Sequence, residues 1–236
     1  MNPRLTAALL IAAAVCTNLA FTVLGTVFDY PDVLQRPVDA ILALFRAHQF
    51  AVTSWFTVLA LSAALFGPIA VGVGRLAPGR AMRIAVWVGI AAAVVQVVGL
   101  LRWPVLVPGY ASAATSADRG TAAAARQSFT LAHEVLGHVV GETFGYLCTA
   151  AWTLLVLVAL GRAFAGRWFL ALGAASAVLI LCGVLSPFGL PLVDLANFVG
   201  YVGFSLWMVT FAVLILVRSR RGQRVPVGSD VVAAGR

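Results

Sequence analysis

The stretch Leu131-Ala-His-Glu-Val-Leu-Gly-His-Val-Val-Gly-Glu-Thr-Phe-Gly-Tyr146 carries the residues of this chain best suited to chemistry. Its strongly ionisable side chains are His133, Glu134, His138 and Glu142, and they fall where the sequence becomes membrane-like. Such groups are costly in hydrocarbon, so they must face a protein interior or water. His-Glu followed by His resembles half of a zinc-protease helix, but the spacing differs. Five residues advance an α-helix by about 140°, which puts His133 and His138 on different faces and denies them a common metal.

Glu134, His138 and Glu142 recur at every fourth residue and stack along one face, from which His133 is expected to point away. Three readings of this face are open. It is a structural network in which the carboxylates pair with Arg102 or Arg126. It is a metal or proton site built on Glu134, His138 and Glu142, with Asp29, Asp32, Asp194 and Asn197 available as further ligands. Or it is a pocket for a small molecule or lipid. Gly137, Gly141 and Gly145 form a second stack beside it. Small residues at this spacing admit a close neighbour, so the polar face is expected to press into the bundle.

The elements that must hold this face are set by composition. The 236 residues are 62% hydrophobic and 10% charged, with a mean hydropathy of +1.01. Soluble domains carry roughly 25% charged residues, so a water-soluble fold is excluded. Six apolar segments, near 5–27, 51–73, 84–101, 139–160, 168–186 and 193–217, are long enough to cross roughly 30 Å of hydrocarbon as helices. They lack the alternation of outer-membrane strands. The fold class is therefore all-α, a single six-helix transmembrane domain over 1–217 followed by a basic cytoplasmic tail, 218–236, read as disordered. Arg4 before an apolar run resembles the start of a signal peptide, but the run continues to about Val27 and reads as a retained helix.

All 16 basic residues are arginine. Eleven fall on one face of this layout: Arg4, Arg75, Arg80, Arg83, Arg162, Arg167 and the five beyond residue 217. Five fall on the other: Arg36, Arg46, Arg102, Arg119 and Arg126. Arginine-rich short loops stay inside, which predicts both termini in the cytoplasm of a bacterium, the chain lying in its plasma membrane. The net charge of +8 follows these loops, so it is read as facing lipid rather than nucleic acid. Cys16, Cys148 and Cys182 lie in separate apolar runs and suggest no disulfide or zinc knuckle.

Gly67-Pro68 predicts a kink in the second segment. Residues 37–48 place Val38, Ile41, Leu42 and Phe45 on one side and Asp39 and Arg46 on another, which reads as a short helix in the outer interface. Thr121 is a candidate cap for an extended fourth helix over 122–160, about twice the length needed to span. Trp55, Trp87, Trp103 and Trp168, near segment ends, read as an interfacial belt.

Phe28-Asp29-Tyr30-Pro31-Asp32, Arg102-Trp103-Pro104, Leu136-Gly137-x-x-Val140-Gly141-Glu142-x-x-Gly145-Tyr146 and Trp152 together resemble a family of uncharacterised bacterial, often actinobacterial, integral membrane proteins known as domain of unknown function 4386. The resemblance implies a stand-alone membrane domain and supplies no activity or cofactor. The functional expectation is an inner-membrane protein that binds or senses a small molecule or lipid through an outward-facing polar cluster, drawn from Glu134, His138, Glu142, Arg102, Arg126, Asp29 and Asp32. A metal-dependent hydrolase within the membrane and an accessory subunit are the alternatives. The partners expected are the lipid bilayer and that ligand, not nucleic acid, and assembly of like copies stays open.

Overall fold

Proline at a first helical position and a side-chain cap start the bundle. In the computed structural model, which describes residues 2–222, Asn2 Oδ1 accepts from the Arg4 amide at 2.9 Å and α1 runs over Pro3–Phe28. It stops at Asp29, whose φ of 53° is left-handed, a conformation Asp tolerates better than most residues. After a 3₁₀ turn, Asp32–Gln35, the short helix α2 covers Val38–Ala47. Its Ile41, Leu42 and Phe45 are buried against the bundle, while Asp39 and Arg46 face outward.

Helices α3 (Gln49–Ala64) and α4 (Phe66–Val73) make one apolar span interrupted at Leu65. The interruption lies one turn before Pro68, which has no N–H to offer the Ala64 carbonyl. Helix α5 covers Arg80–Val105 and, after a joint at Leu106, α6 covers Val107–Ala113, so the chain stays helical well past Arg102.

The next helix, α7 (Arg119–Ala132), is capped three residues earlier than Thr121. Asp118 Oδ2 accepts from the Thr121 amide at 2.8 Å and from its hydroxyl at 2.7 Å. Those bonds, the hydroxyl's first, hold the Asp118 carboxyl below its ordinary range. The depressed pKa means the cap contributes above the unfolded carboxyl's value, about 3.9, and is lost as pH falls through the folded one. Asp118→Ala should accordingly speed amide exchange over residues 119–123 at pH 7, by a factor that shrinks as the pH is lowered through the acid range, whereas an acceleration independent of pH would contradict it.

From His133 to Phe144 the backbone is a π-helix, and α8 follows over Gly145–Cys182. Gly161 (φ 61°) and Gly166 (φ 82°) break α8 with backbone that L side chains rarely adopt. The chain doubles back there. A methyl on Gly173 would meet the Leu157 side chain at 3.1 Å, and one on Gly183 would meet the Tyr146 ring at 2.6 Å. In an unbroken helix residues 157 and 173 would stand about 24 Å apart. A 3₁₀ turn, Gly183–Phe188, leads to α9 (Val193–Gly222), so the basic stretch begins as helix, and the disorder expected of the tail lies outside the described residues from 223 onward.

Among the described residues five helices are long and apolar enough to cross a membrane: Pro3–Phe28, Gln49–Val73, Arg80–Ala113, Arg119–Phe188 and Val193–Arg220. The surface agrees. Leu19, Leu61, Val94, Val158, Val178 and Leu206 are all exposed, an outward apolar face that suits lipid and not water. Inside are two aromatic cores. Trp152, Trp207, Phe66, Phe169 and Phe211 fill one end, and Phe28, Phe45, Phe56, Trp103 and Phe129 fill the other. Trp103 thus belongs to the core, fully buried, whereas Trp87 and Trp168 are exposed as belt residues are.

Arginines mark the two ends. At one, Arg218 donates to the carbonyls of Ala163 and Phe164 beside the fold-back. At the other, Arg36 pairs with Asp29, Arg126 pairs with Asp39, and Arg46 donates to the Ala111 carbonyl at 3.0 Å.

Candidate functional site

The polar residues gather between the two aromatic cores, where the π segment crosses α5. Glycine makes the crossing close. A methyl on Gly99 would stand 2.5 Å from the Gly141 Cα and 2.9 Å from the Leu136 carbonyl oxygen, so the two backbones touch. One turn along, the Arg102 guanidinium lies over Gly137, and one turn back Gln96 lies over Gly145. The glycine stack therefore faces α5 in antiparallel register. Arg102 stands 22 residues after Arg80, about 33 Å along the helix, a distance comparable with the thickness of a bilayer's hydrocarbon core.

A π turn pairs each residue with the fifth along, and this changes which side chains meet. His133 does not point away from His138. The two rings lie 4.7 Å apart, edge to face, because residues five apart stack on a π-helix where an α-helix would separate them. On its other side His133 stacks flat on Phe129 at 5.9 Å. His138 Nδ1 in turn bonds Glu142 Oε2 at 2.8 Å. Glu134 takes no part in this line and is exposed. Among the described residues no three His, Cys, Asp or Glu side chains converge as a metal ion requires.

The arginines differ from the pairing their positions suggest. Arg126 is taken by Asp39, Asp29 by Arg36, and Asp32 is exposed in its 3₁₀ turn. Asp194 bonds Ser186, and Asn197 donates to the Ile180 carbonyl at 2.8 Å. Only Arg102, of the candidate arginines, reaches the cluster. It is 6% exposed and its Nη1 donates to the Gly99 carbonyl, while no carboxylate among the described residues lies within salt-bridge reach.

Three buried nitrogens in this cluster, Arg102 Nη2 and both ring nitrogens of His133, have no hydrogen-bond partner in the protein. A buried group left unsatisfied costs about 1–3 kcal/mol, more when charged. A charged guanidinium arm and an imidazole, one ring nitrogen a donor and the other an acceptor while neutral, are the most polar of the partnerless buried groups, which marks this place as a candidate for a ligand. The His138–Glu142 pair, with side chains 36% and 25% exposed, is the more open side of the same cluster.

Tyr30 and Tyr146 complete the surroundings, close enough for their phenols to feel the charge of Glu142. Tyr30 is partly exposed as a residue, yet burial pushes its phenol up to about 12, so it stays neutral. Gln96 Nε2 donates to Thr149 Oγ1 at 3.0 Å behind them. Two open clefts lie elsewhere, one of about 400 Å³ beside Gln49, Phe50, Thr53 and Ser54, and one of about 260 Å³ between α1 and α9. Neither is lined by a titratable side chain.

An all-helical bundle with apolar outer faces and polar side chains turned inward defines a polytopic membrane protein. The chain belongs to the family described as Domain of unknown function (DUF4386), which matches residues 5–212 and hence nearly all of the bundle. No curated protein and no solved structure matches it.

Of the cluster, His138 and Glu142 are residues that four-residue spacing brings together, whereas His133 is missed by it. The signal that recovers His133 is the five-residue step from His133 to His138, which stacks only on π backbone. Tyr30 and Gln96 come from other elements, and nothing in their local sequence points to the cluster.

Proposed function

We propose that the chain crosses the bacterial plasma membrane six times with both termini in the cytoplasm, and that it binds or senses a small molecule or lipid through the Arg102–His133–His138–Glu142 cluster in its outer half. The fold-back at Gly161 and Gly166 supports counting Arg119–Phe188 as two crossings, since its two arms lie side by side. The eleven-to-five division of arginines supports the orientation. The observation that carries the binding reading is the set of unpartnered nitrogens on Arg102 and His133.

Two results test it. Reporter fusions after residue 236 should be active only in the cytoplasm and fusions within 105–120 only outside, and the reverse pattern would refute the orientation. Mass spectrometry of gently purified protein should find a small molecule or lipid at near one copy per chain that His133→Phe lacks. A bound species equally abundant in both proteins, or none in either, would refute the binding site.

A further inference from the structure

Arg102 is permanently charged, and its planar fork suits the paired oxygens of a carboxylate or phosphate. One arm of the fork is committed to the Gly99 carbonyl and the other, Nη2, is not. Gly137 is what lets the guanidinium lie on the π segment, because a methyl there would stand 2.9 Å from Nη2. The nearest carboxylate in the cluster, Glu142, is held by His138. His133 adds two more uncommitted nitrogens with its ring fixed between Phe129 and His138. The free guanidinium arm and one imidazole N–H at the buried end, joined by a second N–H when His133 is protonated, with the one carboxylate turned toward the other imidazole, make a site for negative charge and a poor one for a cation.

Charge counting then says what accompanies the anion. With both histidines neutral, Arg102 and Glu142 sum to zero. An arriving monoanion leaves the cluster at −1 in a low-dielectric setting, and a proton on His133 or His138 restores neutrality. Beyond Arg102 and Glu142 the histidines face Glu134 on the flank, while Tyr30 from the turn after α1 and Tyr146 from the start of α8 lie on the Glu142 side of the cluster. The tyrosines carry no charge, and Glu134 is exposed and screened by solvent.

We infer that Arg102 Nη2 and His133 form the closed end of an oxyanion site, entered past His138 and Glu142, which takes a carboxylate or phosphate group together with one proton. This rests on the binding reading above and gives it a ligand class, shared by a free anion and an anionic lipid headgroup.

The test uses the full chain at pH 6, 7 and 8 in detergent, titrated with inorganic phosphate and with acetate, and in nanodiscs of phosphatidylcholine with or without phosphatidic acid. Saturable thermal stabilisation is expected, with affinity for acetate falling about tenfold per pH unit once the histidines have lost their protons. Stabilisation by the free anions assigns a soluble ligand, and stabilisation by phosphatidic acid alone assigns a headgroup. His133→Phe keeps the ring stack and removes both nitrogens, so it should melt like the parent without anion and bind at least tenfold more weakly. Arg102→Lys, which keeps the charge and loses the fork, should weaken binding likewise if the first variant fails to fold. No saturable effect of any probe at pH 6, or an effect unchanged in a variant that folds, overturns the inference. If the anions do nothing while a neutral compound co-purifies in a His133-dependent manner, the ligand class fails and the binding site stands; if neither occurs, both fail.

Discussion

Gly99→Ala should cost the protein about 1–3 kcal/mol and a large part of its folded yield. The added methyl would stand 2.5 Å from the Gly141 Cα and 2.9 Å from the Leu136 carbonyl oxygen, both backbone atoms that no rotamer change can move aside. Gly141→Ala is the milder reciprocal, since its methyl would meet the Gly99 Cα at 3.1 Å. Gly109 supplies the control. It is helical, a methyl there meets nothing within 4 Å, and Gly109→Ala should be neutral or slightly stabilising through helix propensity. Thermal melting of the three purified variants, with the fraction that stays monodisperse in detergent, measures the order. If Gly99→Ala melts with Gly109→Ala, the backbones do not touch as described.

Trp103→Ala should be worse, at about 3–5 kcal/mol, the range for deleting a fully buried large aromatic. Its indole stacks on Phe56 at 4.8 Å, meets Phe28 edge-on at 5.1 Å and lies within 6.2 Å of Phe45 and Phe129. Few residues touch so many parts of this aromatic core at once, from α1, α2, α3 and α7. The loss reaches the polar cluster as well, because Phe129 is the surface on which His133 is stacked. Trp87→Ala, at a position 72% exposed, should change the melting temperature little in the same detergent. Comparable losses at the two positions would show that this core is not packed around Trp103.

Helices and their ends were legible because they follow from hydrocarbon thickness and a few backbone rules. The apolar runs near 5–27, 51–73 and 193–217 lie within the helices Pro3–Phe28, Gln49–Val73 and Val193–Gly222. The amphipathic pattern of 37–48 corresponds to α2, because burial of Ile41, Leu42 and Phe45 is what period 3.6 encodes. The joint at Leu65 follows from Pro68, displaced by the one turn over which a missing N–H acts. Thr121 and Asp118 compete for one cap, and the carboxylate wins because it accepts both the amide and the hydroxyl of Thr121.

The candidate site was legible only in part. Four-residue spacing is an α-helical argument, and it groups His138 with Glu142 while sending Glu134 inward and His133 away. The π backbone over His133–Phe144 exchanges those two, leaving Glu134 exposed and His133 buried. A π turn needs a neighbour that tolerates its wider path, and here Gly99 on α5 provides it. That condition lies in another helix and cannot be read from the segment itself. The same holds for the arginines. Arg126 and Arg102 are equivalent as charges in the sequence, and the placement of α2, which brings Asp39 to Arg126, decides which of them stays with the histidines.

The central claim is that the interior cluster opens to the outer side of the membrane. Its most direct test is labelling of His138→Cys, in a chain whose Cys16, Cys148 and Cys182 are replaced by alanine, with a membrane-impermeant maleimide added to intact cells. Modification from outside is expected, with Ala159→Cys, set near the Arg162 end of its helix, left unmodified until the cells are opened. Modification of His138→Cys only after the cells are opened, or none under either condition, would contradict it.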